Sequence, residues 1–160
     1  MEAISEAGQA TVEASGKPCG MAWIAPYLTV KDASAALAFY EAAFGFVKEG
    51  AKAGEDGSIV HAKMTWQEGV VMFGPEGAYG GTTKTPKTGG FESPVTMYVY
   101  CDDVDAFFER AVAAGATALF APMDTFWGDR LCGLTDPDGH SWNFATHNGN
   151  MTQEEMPPVA

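Results

Sequence analysis

One order of elements, a strand followed by a helix and then three strands, occurs twice in this 160-residue sequence and constrains the fold more than any other feature. The first copy predicts these five elements over 24–30, 33–44, 46–51, 58–66 and 70–74. The second copy predicts them over 95–101, 104–114, 117–121, 131–135 and 141–147. One copy is too small to bury a face of its own sheet, so we expect the two to pair as βαβββ modules of one α+β domain.

Turn and capping residues mark the ends of these elements. Asp32 or Ser34 can cap the start of the first helix, and Gly45 is a natural stop at its end. The Asp-Pro-Asp-Gly run over 136–139 predicts a tight turn, because proline presets φ and glycine accepts a positive φ. In the second helix, we expect Val112 to face inward.

The chain divides into one domain between two tails. Residues 1–20 and 148–160 contain few large apolar side chains, and we expect both to be mobile tails. The domain over 21–147 comprises module one (23–74), a connecting loop (75–94) and module two (95–147). The loop is rich in Gly, Thr and Pro, which leaves two alternatives for it, a plain disordered connection or a lid over a ligand.

Acidic residues outnumber basic ones, with 21 Asp and Glu against nine Lys and Arg and a formal net charge of −12. Nucleic acids and anionic membrane surfaces bind basic faces, so we expect neither as a partner. The three cysteines are far apart and form no CxxC pair, which favours reduced thiols in the cytoplasm over a disulfide framework or a structural zinc site. We expect no signal peptide, and no apolar run approaches the ~20 residues of a membrane-spanning helix.

The sequence resembles the vicinal-oxygen-chelate superfamily of glyoxalase I, bleomycin-resistance proteins and dioxygenases in two stretches, APYLTVKDASAALAFYEAAFGF (25–46) and FWGDRLCGLTDPDGHSWNFATH (126–147). The Trp-Gly-Asp-Arg run followed by Asp-Pro-Xaa-Gly-His resembles its PhnB-like branch. The resemblance covers residues 23–147. It implies a half-open, cup-shaped mixed sheet built from two modules, often across a homodimer, and a small molecule bound in the cup.

The resemblance also implies four metal-ligand positions, which are filled by His, Gln or Glu in metal-dependent members. Carried over by strand register, these positions hold Ala25, His61, Thr96 and Asn143. A catalytic divalent metal requires about three good nitrogen or carboxylate donors, and only His61 qualifies. We therefore expect vestigial metal positions and no cofactor. A divalent metal belongs only to the alternative in which water or another strand supplies the missing ligands.

Alternation along the strands selects the side chains expected to line the cup. His61 and Lys63 share one face of their strand, while Val60, Ala62 and Met64 suit packing on the helix. An imidazole in the cup could exchange a proton near neutral pH, so His61 is the candidate catalytic residue. The candidate ligand-binding residues are Tyr27, His61, Lys63, Thr96, Tyr98, Trp127, Arg130 and Asn143, with Tyr100 on the same face as Tyr98.

These residues also have structural interpretations. The tyrosines could fill the cup as core, and His61 could be an inert, hydrogen-bonded strand residue. Arg130 could order its hairpin through an ion pair with Asp129 or Asp136. We expect a structural hydrogen bond at His140 and an exposed imidazole at His147.

Three functions fit these features. The first is a metal-free protein that binds a small aromatic or cationic molecule, because inward aromatic rings suit a planar ligand and an acidic chain attracts cations. The second is a lyase, isomerase or dioxygenase of the glyoxalase type that uses His61 as ligand or base. The third is a non-catalytic dimeric interaction module with a filled cup. The sequence has no nucleophile elbow, phosphate loop or dinucleotide fingerprint.

Overall fold

A computed structural model describes residues 16–150, 152, 154 and 155, so the tails expected over 1–20 and 148–160 lie in large part outside the described residues. Module one contains β1 (Tyr27–Val30), α1 (Ala33–Phe39), β2 (Val47–Ala53), β3 (Ile59–Trp66) and β4 (Gly69–Pro75). The connection contains a 3₁₀ turn (Ala78–Gly80) and a short helix α2 (Pro86–Gly89). Module two contains β5 (Thr96–Tyr100), α3 (Val104–Ala113), β6 (Thr117–Asp124), β7 (Asp129–Thr135) and β8 (Ser141–His147).

The two modules have the same sheet topology. The first sheet has the order β1-β4-β3-β2 and the second has the order β5-β8-β7-β6. In each sheet the first strand of the module pairs in parallel with the last strand, and the other pairs are antiparallel. The predicted architecture of paired βαβββ modules is therefore confirmed.

Helix α1 begins and ends where the sequence predicts. The carboxylate of Asp32 accepts the backbone N–H of Ala35 at 2.9 Å, which caps the first turn. The helix continues as a π-helical turn over Tyr40–Phe44 and stops at Gly45, whose φ of 70° is left-handed. This turn places Tyr40 and Phe44 in the core, where both side chains are fully buried.

Helix α3 differs from the prediction in the face that it buries. Asp103 caps it by accepting the backbone N–H of Ala106 at 3.0 Å. Phe107 and Ala111 face the core, as their four-residue spacing allows. The expectation that Val112 faces inward is wrong, because this side chain is 39% exposed and the adjacent Ala111 takes the buried position.

The side chains on one face of each sheet pack beneath the helices in a shared core. In β3, Ala62 and Met64 are fully buried, as the alternation predicts. The ring of Tyr40 lies 5.4 Å from Phe73 of the first sheet and 5.5 Å from Trp142 of the second. The helix-covered faces of both sheets therefore meet at one core, and the opposite face of each sheet lies on the far side of it.

A buried carboxylate joins the two modules at the predicted 136–139 turn. Asp136 accepts the hydroxyl of Tyr40 at 2.7 Å and the indole N–H of Trp142 at 3.0 Å. It also accepts the backbone N–H groups of Asp138 and His140, each at 3.0 Å. The His140 imidazole bonds the carbonyl of Thr29 at 2.7 Å, which is the structural role expected for it. The turn thus ties module two to the first helix and strand of module one.

The connecting segment is anchored at several points. Thr85 is fully buried and donates its N–H to Glu76 at 2.9 Å. The backbone N–H of Lys87 donates to the carbonyl of Asp138 at 3.0 Å, and Thr83 meets Thr29. These contacts pack the segment in place, so the expectation of a disordered connection is wrong. Among the described residues, no helix combines the length and apolar character required to cross a membrane.

Candidate ligand-binding site

The candidate site lies on the two open faces, meaning the face of each sheet that carries no helix. The open face of module one presents Tyr27, Thr29, His61, Lys63 and Met72, because their neighbours in sequence are the buried core residues. The open face of module two presents Thr96, Tyr98, Tyr100, Asp129, Asn143 and His147. Ala25 precedes β1 rather than lying within it.

On the open face of module one, Tyr27 and His61 form a stacked pair. Their ring centroids are 5.6 Å apart at an interplanar angle of 28°, and the Tyr27 hydroxyl lies 3.2 Å from His61 Nδ1. Gly74 leaves room for this pair, since a Cβ atom there would lie 2.8 Å from the Tyr27 hydroxyl. The pair offers a flat aromatic surface, and its hydrogen bond fixes the orientation of the His61 ring.

Lys63 shares this face, but its ammonium group is already engaged. It forms an ion pair with Glu49 of the neighbouring strand β2 and lies 3.9 Å from the sulfur of Met21. A ligand anion would have to compete with Glu49 for this cation. Lys63 is therefore less available to a ligand than its position on the strand suggests.

On the open face of module two, one buried carboxylate organises a larger cluster. Asp129 Oδ2 accepts the hydroxyls of Tyr98 at 2.6 Å and Tyr100 at 3.0 Å, and the indole N–H of Trp127 at 3.2 Å. Its other oxygen, Oδ1, lies 2.7 Å from Nδ1 of His147. The carboxylate thus receives four side-chain donors from β5, β8 and the turn before β7. We call these five residues the Asp129 cluster.

Burial and hydrogen bonding set the charge states of this cluster. Burial alone would raise the pKa of Asp129, but the four donors outweigh it and hold that pKa below its usual value. Burial and the hydrogen bond to this carboxylate raise the pKa of Tyr98 to about 12. The hydrogen bond to Asp129 also raises the pKa of His147. Near neutral pH the carboxylate is therefore ionised and the phenols keep their protons.

A constrained turn brings Trp127 to the cluster. Gly128 has a φ of 96°, and its carbonyl accepts the N–H of Asn148 at 2.8 Å. A Cβ atom at Gly128 would collide with the carbonyl oxygen of Gly149. Thr125 also closes the turn, because its hydroxyl donates to the carbonyl of Asp129 at 2.8 Å. The close passage of the chain beyond β8 therefore requires glycine in the Trp-Gly-Asp-Arg run.

Arg130 points to the other side of the sheet. Its guanidinium forms a bidentate pair with Asp105 of α3, at 2.6 and 2.8 Å, and meets Asp124 at 3.2 Å. Alternation along β7 explains this, because Arg130 is in phase with the core residue Cys132. The structure therefore does not bring Arg130 to the ligand-binding face, and its ion-pair partners are not the expected Asp129 or Asp136.

An apolar groove runs beside β5, the edge strand of the second sheet. Its volume is about 520 Å³, a size suited to small organic molecules. Core-side residues and open-face residues both reach it, because β5 has no neighbour on this edge. The lining includes Phe46, Val71, Met97, Tyr98, Tyr100 and Trp142. Two phenols of the Asp129 cluster thus form part of an apolar groove.

The two groups of open-face residues do not meet within one chain. Among residues 16–150, no hydrogen bond or ring contact joins the Tyr27–His61 pair to Tyr98, Asn143 or the rest of the Asp129 cluster. The shared core lies between the sheets, which separates their open faces. A single cup that contains both groups would thus require a second chain.

The residues at the four inherited metal positions do not fit a metal. Alanine offers no donor, and the threonine and asparagine offer only neutral oxygens beside the one imidazole of His61. Within the described part of the chain, no three His, Cys, Asp or Glu side chains are grouped so that they could hold a metal ion. Asp129 and His147 come together, but their neighbours in the cluster are phenols and an indole.

Asp129 and His147 were not predicted as site residues, although strand alternation could have identified both. The sequence predicts β7 from 131, whereas the strand begins at Asp129. With the correct start, Asp129 lies two residues before Leu131 and faces away from the helices. His147 is four residues beyond Asn143 on β8 and thus faces the same way.

Comparison with known proteins supports this architecture. The family model of the Glyoxalase/Bleomycin resistance protein/Dioxygenase superfamily matches residues 20–144. An uncharacterized protein of Mycobacterium bovis is 37% identical over 135 residues, which cover 83% of this chain and 88% of that protein. The crystal structure of TioX from Micromonospora sp. ML1 is similar, with a TM-score of 0.63 and 28% identity over 79% of this chain and 99% of that one. The X-ray structure of a gene product from Arabidopsis thaliana also has a TM-score of 0.63, at 24% identity over 78% and 98% of the two chains.

Proposed function

This chain belongs to the Glyoxalase/Bleomycin resistance protein/Dioxygenase superfamily, and from that premise we propose that it binds a small aromatic or cationic molecule on its open sheet faces without the metal used by other members. The Trp-Gly-Asp-Arg run supports placing it in the PhnB-like branch. The donor set at the inherited metal positions supports binding that does not depend on a metal. The ligand would be held by aromatic rings and hydrogen bonds.

One observation carries this proposal, namely the tyrosines that the open faces leave exposed. Tyr27, Tyr98 and Tyr100 are 51%, 42% and 55% exposed. Their hydroxyls are nevertheless held in place, by His61 in module one and by Asp129 in module two. Fixed aromatic surfaces lose little conformational entropy when a ring stacks on them, which favours binding. The alternative that these tyrosines form a filled core does not agree with their exposure.

We further propose a homodimer as the binding form. The open faces lie on far sides of one core, and the residues expected to share a cup occupy both faces. A second copy of the chain would bring its module two against module one and complete two equivalent cups. Analytical ultracentrifugation tests this, since a monomer at the concentrations used for binding would contradict it.

Tryptophan fluorescence tests ligand binding, because Trp127 lies in the Asp129 cluster. We expect saturable quenching by members of a panel of planar aromatic compounds and organic cations, in metal-free buffer with EDTA. Trp127→Phe should reduce the signal change, leaving the part that arises from Trp66 and Trp142 of the groove, and isothermal titration calorimetry should still detect binding. Absence of heat and of quenching across the panel would contradict the proposal.

The Asp129–His147 pair favours a second candidate function, proton transfer by a lyase or isomerase of the glyoxalase type. The 2.7 Å contact orients the imidazole in the way that carboxylates orient catalytic histidines. His61 provides a second oriented imidazole on the other open face. Hemithioacetal isomerisation, assayed with and without added Ni²⁺ or Zn²⁺, tests this candidate. Activity that is lost in His147→Gln or His61→Ala would support it.

A further inference from the structure

The Asp129 cluster constrains what its two phenols can do toward a ligand. A phenol carries a single proton, and both Tyr98 and Tyr100 donate theirs to Asp129, at 2.6 and 3.0 Å. Their oxygens can therefore only accept hydrogen bonds from a bound molecule. Tyr98 already receives the indole N–H of Trp127 at 3.3 Å, and the hydroxyl of Tyr100 also interacts with that of Tyr98.

Resting on the proposed function, we propose that the Asp129 cluster selects a ligand with a hydrogen-bond-donating organic cation, a primary or secondary ammonium group. The phenol oxygens of Tyr98 and Tyr100 would accept its N–H groups. The apolar part of the ligand would lie in the groove beside β5, which both tyrosines line. The site thus takes an arylalkyl amine rather than an aromatic acid or alcohol.

Charge favours this choice. Asp129 is 2% exposed, so little solvent screens its negative charge. The hydrogen bonds from the phenols draw electron density toward their oxygens, which makes them stronger acceptors. A carboxylate ligand would face the lone pairs of the two phenol oxygens and would be repelled by the buried charge of Asp129 behind them. The net charge of −12 adds a long-range attraction for cations.

The aromatic rings supply a second attraction. The rings of Tyr98 and Tyr100 are 5.5 Å apart and tilted by 57°, and both are partly exposed. An ammonium group beside them gains cation–π stabilisation. Among the described residues, Lys17 lies over the ring of Trp23 and Arg110 lies over the ring of Phe107. The nearby Arg130 is held on the other side of the sheet by Asp105. No described lysine or arginine occupies these two rings.

A matched set of ligands isolates the ammonium group. Calorimetric titrations of the full chain would use 2-phenylethylamine, 2-phenylethanol and 3-phenylpropionate at pH 7.5 and low salt. We expect the amine to bind at least roughly tenfold more tightly than the alcohol, and the carboxylate to bind more weakly than both. Added salt should weaken the amine most, because only its binding includes an attraction between opposite charges.

Single-atom variants then test the phenols. Tyr98→Phe and Tyr100→Phe each remove one acceptor while keeping the ring, and each should weaken the amine by about tenfold and the alcohol, whose hydroxyl is a neutral donor, by less. Tyr79→Phe, on an exposed turn of the connection, is the matched control and should bind as the wild type does. Circular dichroism and thermal melting confirm that each variant is folded.

The outcomes separate this inference from the proposed function. The cation site would be overturned if the amine and the alcohol bound equally. It would also be overturned if Tyr98→Phe and Tyr100→Phe bound the amine as tightly as Tyr79→Phe does. Either result would leave aromatic binding in place. No binding by any of the three probes would also overturn the cation site. The broader panel would then decide the proposed function by itself.

Discussion

The joint between the modules makes a quantitative prediction for Tyr40→Phe. This substitution removes a hydroxyl that donates to the buried carboxylate of Asp136 at 2.7 Å, and it leaves the ring and its packing in place. Tyr40 is fully buried, and burial, with the adjacent carboxylate, raises its pKa well above the ordinary value. The hydroxyl therefore keeps its proton and remains a donor throughout the accessible pH range.

The expected loss follows from the partners that remain. A hydrogen bond to a charged group contributes about 1.5–3 kcal/mol, and Asp136 keeps three other donors, so we expect the free energy of unfolding to fall by about 2 kcal/mol. For a chain of this length, that corresponds to a decrease in the melting temperature of roughly 4–8 °C. The urea midpoint should fall by about 1 M with an unchanged slope.

Urea unfolding followed by far-UV circular dichroism measures this loss. Tyr79→Phe removes an exposed hydroxyl and should change stability by less than about 0.5 kcal/mol. A double-mutant cycle with Asp136→Asn should give a coupling energy of at least about 1 kcal/mol between the two side chains. The reasoning fails if Tyr40→Phe unfolds at the same urea concentration as Tyr79→Phe, or if the two losses in the cycle simply add.

Three further predictions concern the turn before β7, the open-face imidazole and the thiols. Gly128→Ala should lower the free energy of unfolding by about 2 kcal/mol or more, because its Cβ atom would collide with the chain beyond β8 and a positive φ strains alanine. The control is Gly57→Ala, which is also at positive φ but lies in open space. In the same urea assay it should lose only the strain energy of about 1 kcal/mol. The pKa of His147 is raised in the folded state, so its contribution to stability is complete below the unfolded-state pKa near 6.5 and is lost as the pH rises through the folded-state pKa. Melting temperatures from pH 5.5 to 9 should show this decline in the wild type and not in His147→Gln. Burial raises the pKa of the Cys132 thiol to about 11, so Ellman's reagent should label the exposed Cys19 at once but Cys132 only after unfolding, and rapid labelling of both would contradict the buried assignment.

Local periodicity accounts for what the sequence could predict. Alternation in β3 placed His61 and Lys63 on one face and Met64 in the core, because the period of a strand depends only on neighbouring residues. The stop at Gly45 and the turn at 136–139 follow from the backbone preferences of glycine and proline. These features need no knowledge of distant contacts.

Distant contacts account for what the sequence could not predict. The start of β7 was placed two residues late, since a Trp-Gly-Asp-Arg run is typical of a loop. Arg130 pairs with Asp105, which is 25 residues earlier and on a helix whose position relative to β7 no local pattern specifies. The separation of the two open faces likewise depends on how the modules pack through Tyr40 and Trp142.

The two buried aspartates of this chain accept similar sets of hydrogen bonds in different surroundings. Asp136 and Asp129 are both almost inaccessible, and each accepts four donors. The side-chain donors to Asp136, Tyr40 and Trp142, are themselves buried, so its charge stabilises only the joint between modules. The phenols that donate to Asp129 are partly exposed, so a ligand at the surface could approach oxygens that are polarised by its charge. A joint has no need of that exposure, because burying the phenols would strengthen it. The exposure of Tyr98 and Tyr100 is therefore the physical reason for our proposal that the Asp129 cluster binds a ligand, whereas the buried partners of Asp136 indicate a structural role.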